Sequence, residues 1–468
     1  MEYSVRIGWG GADITPPLPV GLLGQFEQRV ATKVGSPLKV VAMAIAQAGQ
    51  KPTFWAGCDL LFTPASLVRD TAALLRQRIP GFEDDMLILN ATHIHTGPYM
   101  NREGESALLR YTNADPSLVQ PEACRAFTAE RIADAVAEAY ANLAPSTVRI
   151  AVSYIQTGYC RRVTYQDGRA VMYGDVSKPD FKCMEYHDGG NSNLLYTYDT
   201  AGKLTGVVAN VPCTAQVVEH KDYIASDYWG YTRAWVKEHM GDIPVLGVTA
   251  CAGDLSPRDL LTTLPEEPSN NDEVGAQELG ERIAKEIAKL EKTARSPEGD
   301  VYGHWYKTAW LPRWNPTYVQ YNEAKAKIAA WKEQYGEDFE VCPFVGHPGL
   351  PSFEYSEAEV TIRRFEDDQE YVPVPIHAVR LGDAVFITNP FECYIEYGDR
   401  IRAACPGIQI LDVQLTCDAM GYLPTRRAVR GGGYSGMIFN GQCGPEGGDA
   451  LVRESLALIR ESGVQTVC

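Results

Sequence analysis

Short apolar runs and alternating apolar and polar residues predict strands in the first part of the chain. These strands cover residues 5–8, 38–46, 54–62 and 86–89. Residues 64–79, between the last two strands, carry apolar side chains at helical spacing. Such a strand, helix, strand order usually implies that the two strands pair in parallel and that the helix packs on their sheet.

The same two patterns continue to the end of the chain. Further strands are predicted over residues 148–155, 204–211, 245–249, 374–381, 384–388 and 408–415. Further helices are predicted over residues 121–143, 226–239, 272–294, 318–335, 389–402 and 448–459. Because strands and helices are interspersed throughout, we expect an α/β fold with mixed β-sheets in the centre and helices packed outside.

Residues 301–370 differ in composition from the rest of the chain, because aromatic residues are concentrated in their first part. We expect a single domain over residues 1–468, with residues 301–370 as an aromatic-rich insertion or lid-like subdomain within it. The aromatic side chains suit a groove for an apolar or sugar ligand. Ordinary packing of aromatic rings beneath a helix explains them equally well.

The net charge and the hydrophobicity of the chain argue against some classes of binding partner. The 468 residues carry a formal net charge of −17, which disfavours nucleic acid or an anionic membrane as the main partner because both would be repelled. No stretch reaches the length and hydrophobicity of a membrane span.

The 12 cysteines include no C-x-x-C pair, which favours free thiols in a reducing compartment. The start lacks a basic segment followed by an apolar core, so we expect a cytoplasmic protein, although a chain trimmed of a leader would look the same.

The first candidate site follows the strand that ends near residue 89. Alternate side chains of an extended backbone share a face, so His93 and His95 are expected to emerge together, before Gly97 and Pro98 turn the chain away. Two imidazoles on one side of a strand end suit a divalent metal, zinc first. Alternatively, the two histidines cap the strand through hydrogen bonds.

Three other polar positions follow strands. The pair Arg161 and Arg162 has the chemistry to clamp a carboxylate or a carbonyl oxygen, but adjacent arginines are more often solvated. Ser256, after a small-residue turn, either faces a cleft or caps a helix that begins at Pro257. Glu392 lies at a strand-to-helix junction, where the helix dipole favours a glutamate and where α/β proteins commonly place their sites.

Five short segments, in order along nearly the whole chain, together resemble the catalytic domain of the neutral ceramidase family, whose members are zinc amidases that cleave the N-acyl bond of ceramide. The segments are Gly11-Ala12-Asp13-Ile14-Thr15, Thr92-His93-Ile94-His95-Thr96-Gly97-Pro98, Gly253-Asp254-Leu255-Ser256-Pro257, Pro390-Phe391-Glu392, and Tyr422-Leu423-Pro424-Thr425 with Tyr434 twelve residues later. The resemblance implies a divergent, bacterial-type member without the family's C-terminal immunoglobulin-like domain.

The resemblance also implies roles for individual residues. His93, Glu392 and Tyr434 would be zinc ligands, while His95 and Arg161 would face the scissile group. Tyr422 would donate a hydrogen bond to the oxyanion. Ser256 matches the family's active-site serine, acting either as a substrate contact or as a nucleophile.

One departure concerns the metal. The family has a further zinc-ligand histidine, and Cys213 falls near its place in this chain. A thiolate is a good zinc ligand, so Cys213 is the expected fourth ligand. Alternatively, Cys213 is a buried structural cysteine, and His220 or a water completes the shell.

The expected function is hydrolysis of an amide or ester bond by an enzyme with one zinc ion per chain. The substrate would be a small N-acyl or O-acyl compound derived from a lipid or a glycan, and a homo-oligomer is compatible with the sequence. Two alternatives stay open. One is a carbohydrate esterase or deacylase that uses the same metal site, and the other is a non-catalytic ligand-binding protein that lost its metal when histidine became Cys213.

Overall fold

The computed structural model describes residues 5–25, 29–100, 115–262, 272–299, 301–336 and 352–467. The strands in these residues are, in chain order, β1 (Arg6–Asp13), β2 (Val20–Leu22), β3 (Arg29–Ala31), β4 (Lys39–Ala46), β5 (Thr53–Cys58), β6 (Leu87–Ala91), β7 (Ala144–Ser153), β8 (Tyr159–Cys160), β9 (Arg162–Tyr165), β10 (Ala170–Met172), β11 (Phe181–Met184), β12 (Ser192–Asp199), β13 (Leu204–Val211), β14 (Val245–Thr249), β15 (Leu255–Ser256), β16 (Tyr302–Pro312), β17 (Tyr371–Leu381), β18 (Ala384–Thr388), β19 (Glu392–Cys393), β20 (Gln409–Val413) and β21 (Tyr422–Leu423).

The α-helices in the same residues are α1 (Ala65–Arg78), α2 (Pro121–Ala141), α3 (Asp227–Met240), α4 (Glu273–Glu291), α5 (Tyr318–Tyr335), α6 (Ser352–Glu366), α7 (Ile395–Ala403), α8 (Arg426–Gly431) and α9 (Pro445–Glu461). Short 3-10 helices cover Asp84–Met86, Tyr434–Gly436 and Ile438–Asn440. No helix among these is long and apolar enough to cross a membrane.

Eight strands form the large sheet, in the spatial order β14-β13-β12-β7-β1-β4-β5-β6. The sheet is mixed, because β5 pairs with β6 and β13 with β14 in parallel while the other neighbours are antiparallel. The predicted strand, helix, strand unit is confirmed: α1 connects β5 to β6, and Phe54 lies opposite Leu87 in the parallel register. Every residue of β5 and of β6 is buried, which explains their largely apolar character.

A second, small sheet has the order β16-β17-β18-β20 and packs face to face on the large one. Their shared core joins Met43, Trp55 and Ile88 of the large sheet to Phe386 and Leu411 of the small sheet. The outer face of the large sheet packs on α1 to α4, and the outer face of the small sheet packs on α7 and α9. The expected architecture, mixed sheets in the centre with helices outside, is therefore confirmed as four layers.

Residues 301–370 divide into two parts. The aromatic-rich stretch at their start is β16, which pairs along its whole length with β17, from Tyr302 opposite Leu381 to Pro312 opposite Tyr371. This stretch is therefore a strand of the small sheet. Helices α5 and α6 follow and pack on each other, while residues 337–351 of the predicted subdomain lie outside the described residues.

The carboxyl ends of the parallel strands meet at one end of the two sheets. The backbone N–H of Gln414, just after β20, donates to Thr249 at the end of β14. Asn90 of β6 forms a bridge to Thr416 beyond β20. Because side chains that follow these strands come from distant parts of the sequence, this end of the sandwich is where a composite site can form.

Candidate active site

The two histidines lie in the turn after β6, with their rings close and mutually perpendicular. The ring centroids are 4.9 Å apart at an interplanar angle of 90°. His93 has a φ of 64°, a left-handed conformation that is uncommon outside glycine. His93 therefore does not continue the strand, and the turn rather than strand periodicity brings the two imidazoles together.

Each histidine is fixed by a backbone carbonyl on one ring nitrogen. His93 Nδ1 lies 2.9 Å from the carbonyl oxygen of Leu61, and His95 Nδ1 lies 2.7 Å from that of Gly24. A carbonyl only accepts, so both Nδ1 atoms carry the proton and both Nε2 atoms present a lone pair. The Nε2 atom of His95 is buried and has no hydrogen-bond partner within the described part of the chain. This tautomer is the one that metal-binding histidines use.

Glu392 follows β18 of the small sheet in the chain and faces His93. It lies in β19, which pairs in parallel with β21, and α7 begins only at Ile395. Its Oε2 is 3.5 Å from His93 Nε2, and the side chain is buried. Burial raises the pKa of Glu392, but the adjacent imidazole of His93, the hydrogen bond from Tyr422 and the charge of Arg161 outweigh it, so the pKa is lowered. The result is a buried carboxylate beside an imidazole lone pair.

Arg161 is buried, so the expectation of a solvated arginine is wrong for this position. Its Nη2 donates to Tyr422 Oη at 3.1 Å and to the carbonyl oxygen of Gly253 at 2.9 Å. Its Nη1 donates to Gln216 Oε1 at 3.3 Å. These acceptors are far apart in sequence, so no local pattern predicts the burial.

Arg162 is also buried and forms a two-point ion pair with Glu185, at 2.8 and 3.1 Å. Its remaining donors reach the carbonyl oxygen of Gly432 at 2.8 Å and Ser435 Oγ at 3.2 Å. This pair therefore holds the glycine-rich loop on both sides of Tyr434.

Tyr422 lies between Arg161 and a set of aromatic rings. Burial raises the pKa of its phenol well above the usual value although Arg161 opposes the shift, so the group is neutral and able to donate. Its ring centroid is 5.7 Å from that of Tyr434. Tyr434 in turn contacts Phe353 of α6 and Phe439, at 5.2 and 6.2 Å between centroids. We refer to Tyr434, Phe353 and Phe439 as the aromatic cluster.

Ser256 does not cap a helix. It lies in β15, opposite Tyr159 of β8, and no helix follows in residues 257–262. Its Oγ accepts the backbone N–H of Arg258 at 3.2 Å, and its hydroxyl hydrogen-bonds to Tyr173. A pairing with a distant strand thus overrides the local Ser-Pro signal.

Cys213 is buried, and none of its contacts among the described residues is with His93 or Glu392. Its Sγ is 3.5 Å from the carbonyl oxygen of Thr214. Burial and the charge of Asp227 raise the pKa of this thiol well above its usual range, so it is protonated. His220 is exposed. Within the described ranges no three His, Cys, Asp or Glu side chains are grouped so that they could hold a metal ion. The role of Cys213 as a zinc ligand stays a prediction.

Three residues that the sequence analysis did not assign lie beside Arg161: Tyr173, Gln216 and Glu219. We call them the polar row. Gln216 Nε2 donates to Tyr173 Oη at 2.6 Å and to Glu219 Oε2 at 3.1 Å, and that carboxylate lies 3.4 Å from His95 Nδ1. Tyr173 has a φ of 53°, a strained conformation of the kind found at functional sites. Their position in the sequence could have identified two of them, because Gln216 and Glu219 follow the end of β13 as His93 follows the end of β6.

Two sequence comparisons find nothing, since no family model matches the chain and no curated protein does. The structure, however, is similar to the crystal structure of neutral ceramidase from Pseudomonas aeruginosa, with a TM-score of 0.73 and 19% sequence identity over 100% of this chain and 76% of that chain. It is also similar to a structure of a ceramidase complexed with C2, with a TM-score of 0.70 and 18% identity over the same shares of the two chains.

The chain has the neutral ceramidase fold. The fold expected from the five sequence segments is thereby confirmed, at an identity where sequence searches find no relative. In this neutral ceramidase fold, the segments around His93, Ser256, Glu392 and Tyr422 follow strands whose ends meet, which explains why they form one cluster.

The donors at the centre of the cluster fit zinc in type and spacing. Two ligands on a tetrahedral zinc, each about 2.0–2.2 Å from the ion, are roughly 3.4 Å apart. The separation of 3.5 Å between His93 Nε2 and Glu392 Oε2 matches this value.

Proposed function

We propose that this protein is a zinc-dependent hydrolase that cleaves an amide bond by ceramidase-type chemistry. The observation that supports the proposal most is the pair His93 Nε2 and Glu392 Oε2, buried 3.5 Å apart, with the other nitrogen of His93 fixed by a carbonyl. The similar folded structures are ceramidases, which agrees with this chemistry.

His93 and Glu392 would hold the ion, and Tyr434 is the proposed third ligand. When bound, zinc lowers the pKa of a water ligand towards about 7 and polarises a carbonyl oxygen. Arg162 positions Tyr434, because it fixes Gly432 and Ser435 on either side of it.

Arg161 and Tyr422 would stabilise the negative charge that develops on the substrate oxygen. The guanidinium is held charged by the tyrosines and Glu392 around it, which raise its pKa despite its burial. Tyr422 Oη accepts from Arg161 Nη2 at 3.1 Å, so the phenol and the guanidinium are adjacent. Donors fixed before the reaction are the main source of such stabilisation.

His95 would carry a proton to the leaving group. Its Nδ1–H is taken by Gly24, and its buried Nε2 is available for proton exchange. Ser256 keeps its two expected roles, substrate contact or nucleophile. Its hydrogen bond to Tyr173 connects it to the same cluster.

Metal removal tests the proposal. We expect freshly purified protein to contain about one zinc per chain and to hydrolyse a chromogenic short-chain N-acyl amide, with activity lost to a chelator and restored by zinc. His93→Ala should lower both zinc content and kcat, the latter by at least about 100-fold. His239→Ala is the control, because His239 is exposed on α3. Undiminished activity in metal-free protein would rule out the proposed chemistry.

A further inference from the structure

A cavity of about 290 Å³ lies between helices α5 and α6, the end of α8 and the glycine-rich loop around Tyr434. Among the described residues that line it, none is a proposed metal ligand or a member of the aromatic cluster or the polar row. Its volume is roughly twice that of a protein cavity that binds benzene. A small organic molecule therefore fits in it.

Three charged side chains line this cavity, and two of them are carboxylates. They are Glu323 and Lys327 of α5 and Glu357 of α6. Within the described part of the chain, none of the three is in a hydrogen bond or a close ion pair. Burial raises the pKa of Glu357, and the charge of Lys327 offsets this shift only in part. A bound cation would give this partly buried carboxylate the partner that it lacks.

The rest of the cavity wall is largely apolar and includes an indole. Trp314 lines the cavity, and its ring packs on Gly444, where an added Cβ would be 2.9 Å from the ring. An indole is the strongest aromatic partner for a cation. Met437 and Ile438 supply apolar surface for an alkyl group. The wall therefore suits a ligand that has both a positive charge and an apolar part.

The charges favour an organic cation over the other classes of ligand. An anion would face two carboxylates and only one ammonium group, on a chain whose formal net charge is −17. A metal ion would need several ligands at one point, and no three His, Cys, Asp or Glu side chains of the described ranges are grouped in that way.

The cavity borders the two elements that position Tyr434. Gly433 and Gly436, which lie on either side of Tyr434 in the loop, line the cavity. On α6, Phe353 and Glu357 are one turn apart and share a face of the helix. The ring of Phe353 is 5.2 Å from that of Tyr434. A ligand held by Glu357 thus adds contacts to the loop and to the helix beside it.

We infer that this cavity is a second binding site, which takes a small organic cation of the alkylammonium type and stabilises the loop that carries Tyr434. Glu357 would contact the ammonium group, and Trp314 and Met437 would contact the alkyl part. A ligand stabilises the conformation that it binds, so the loop would open less often when the site is filled. The inference goes beyond the proposed hydrolase function and does not depend on it.

Butylammonium and 1-butanol test the charge preference of the cavity, because they share an alkyl chain. In ligand-observed NMR titrations at about pH 8, where carboxylates are ionised and the amine is protonated, we expect butylammonium to bind wild-type protein at least about 10-fold more tightly. Glu357→Gln should remove most of this difference. Glu359→Gln, the same change at an exposed position of α6 that does not line the cavity, should leave it intact.

Hydrogen exchange of backbone amides locates the bound cation. At ten times its Kd, butylammonium should slow exchange in residues 432–438 by up to about 10-fold, because opening of the loop then requires release of the ligand. Exchange in α3, on the outer face of the large sheet, should not change and serves as the internal control.

A cavity-filling variant gives a test that does not involve charge. Ala324 is buried and lines the cavity, so the larger side chain of Ala324→Leu would occupy the space of the ligand. Folded Ala324→Leu protein should lose the slowing of exchange in residues 432–438. This variant also decides the inference if Glu357→Gln does not fold.

Three results would overturn the inference: equal affinities of wild-type protein for butylammonium and 1-butanol, a difference that persists in Glu357→Gln, or slowed exchange only outside residues 432–438. Unchanged protection by butylammonium in folded Ala324→Leu protein would overturn it as well. None of these measurements uses catalysis. A failure of the proposed function would therefore leave their results unchanged.

Discussion

In this site, neighbouring groups set the protonation state and the orientation of each functional side chain. Tyr422 is a neutral phenol because burial disfavours its anion, and Arg161 stays charged because tyrosines and Glu392 surround it. The imidazoles of His93 and His95 are held in one tautomer by Leu61 and Gly24. Each group is therefore prepared for one task before a substrate arrives.

Removal of the Tyr422 hydroxyl should weaken catalysis without loss of the metal. We expect Tyr422→Phe to lower kcat by roughly 10²- to 10³-fold, the usual effect of losing one oxyanion donor, while zinc content stays at the wild-type level. Steady-state kinetics and elemental analysis measure the two effects. Tyr302→Phe removes another buried hydroxyl, one that donates to Ile45 and Lys51, and should leave kcat unchanged. Equal kcat for both variants would exclude Tyr422 from the reaction.

At the scale of elements, short connections after parallel strands carry the site. Asp254 shows how they are joined, since its carboxylate accepts the backbone N–H of Ile395 at the start of α7 at 2.9 Å. Its carbonyl oxygen accepts the backbone N–H of Arg161 at 3.0 Å. One residue thus fixes β15, α7 and the arginine relative to one another.

Asp254 should make stability depend on pH. Burial raises its pKa to about 6, whereas an unfolded aspartate titrates near pH 4. Between these values the folded state binds the extra proton, so the contribution of this group to stability is present below about pH 4 and is lost as pH rises through 6. Asp254→Asn keeps an acceptor for Ile395 but does not titrate. Urea unfolding should show the variant gaining up to about 3 kcal/mol relative to wild type between pH 4 and pH 8. A constant difference across that range would contradict the shifted pKa.

At the scale of the whole molecule, the two sheets are joined by a core that no short segment reveals. Trp55 and Phe386, one from each sheet, meet edge to face with centroids 4.7 Å apart and are fully buried. Residues of both sheets contribute to the site, so their packing keeps His93 near Glu392.

A cavity in this core should lower the free energy of unfolding but leave the zinc content unchanged. We expect Phe386→Ala to lower the free energy of unfolding by about 3–5 kcal/mol, measured by urea denaturation. At temperatures where the variant stays folded, its zinc content should match that of wild type. A loss below about 1 kcal/mol would mean that the sheets do not pack as described.

Local patterns predicted the parts of the fold that depend on neighbouring residues. The β5, α1, β6 unit and the strand-end position of His93 follow from apolar runs and helical spacing. Features that depend on distant partners were missed. The aromatic stretch at Tyr302 is a strand because it pairs with Leu381, and Ser256 is in a strand because it pairs with Tyr159. The burial of Arg161 depends on Tyr422, which is 261 residues away in sequence.

The central claim is that His93 and Glu392 bind one zinc ion. Anomalous X-ray diffraction at the zinc absorption edge, from crystals of freshly purified protein, tests it most directly. We expect one strong anomalous peak per chain, about 2.0–2.2 Å from both His93 Nε2 and Glu392 Oε2. Crystals grown with zinc that show no peak between these two atoms, or a peak bound elsewhere, would contradict the account.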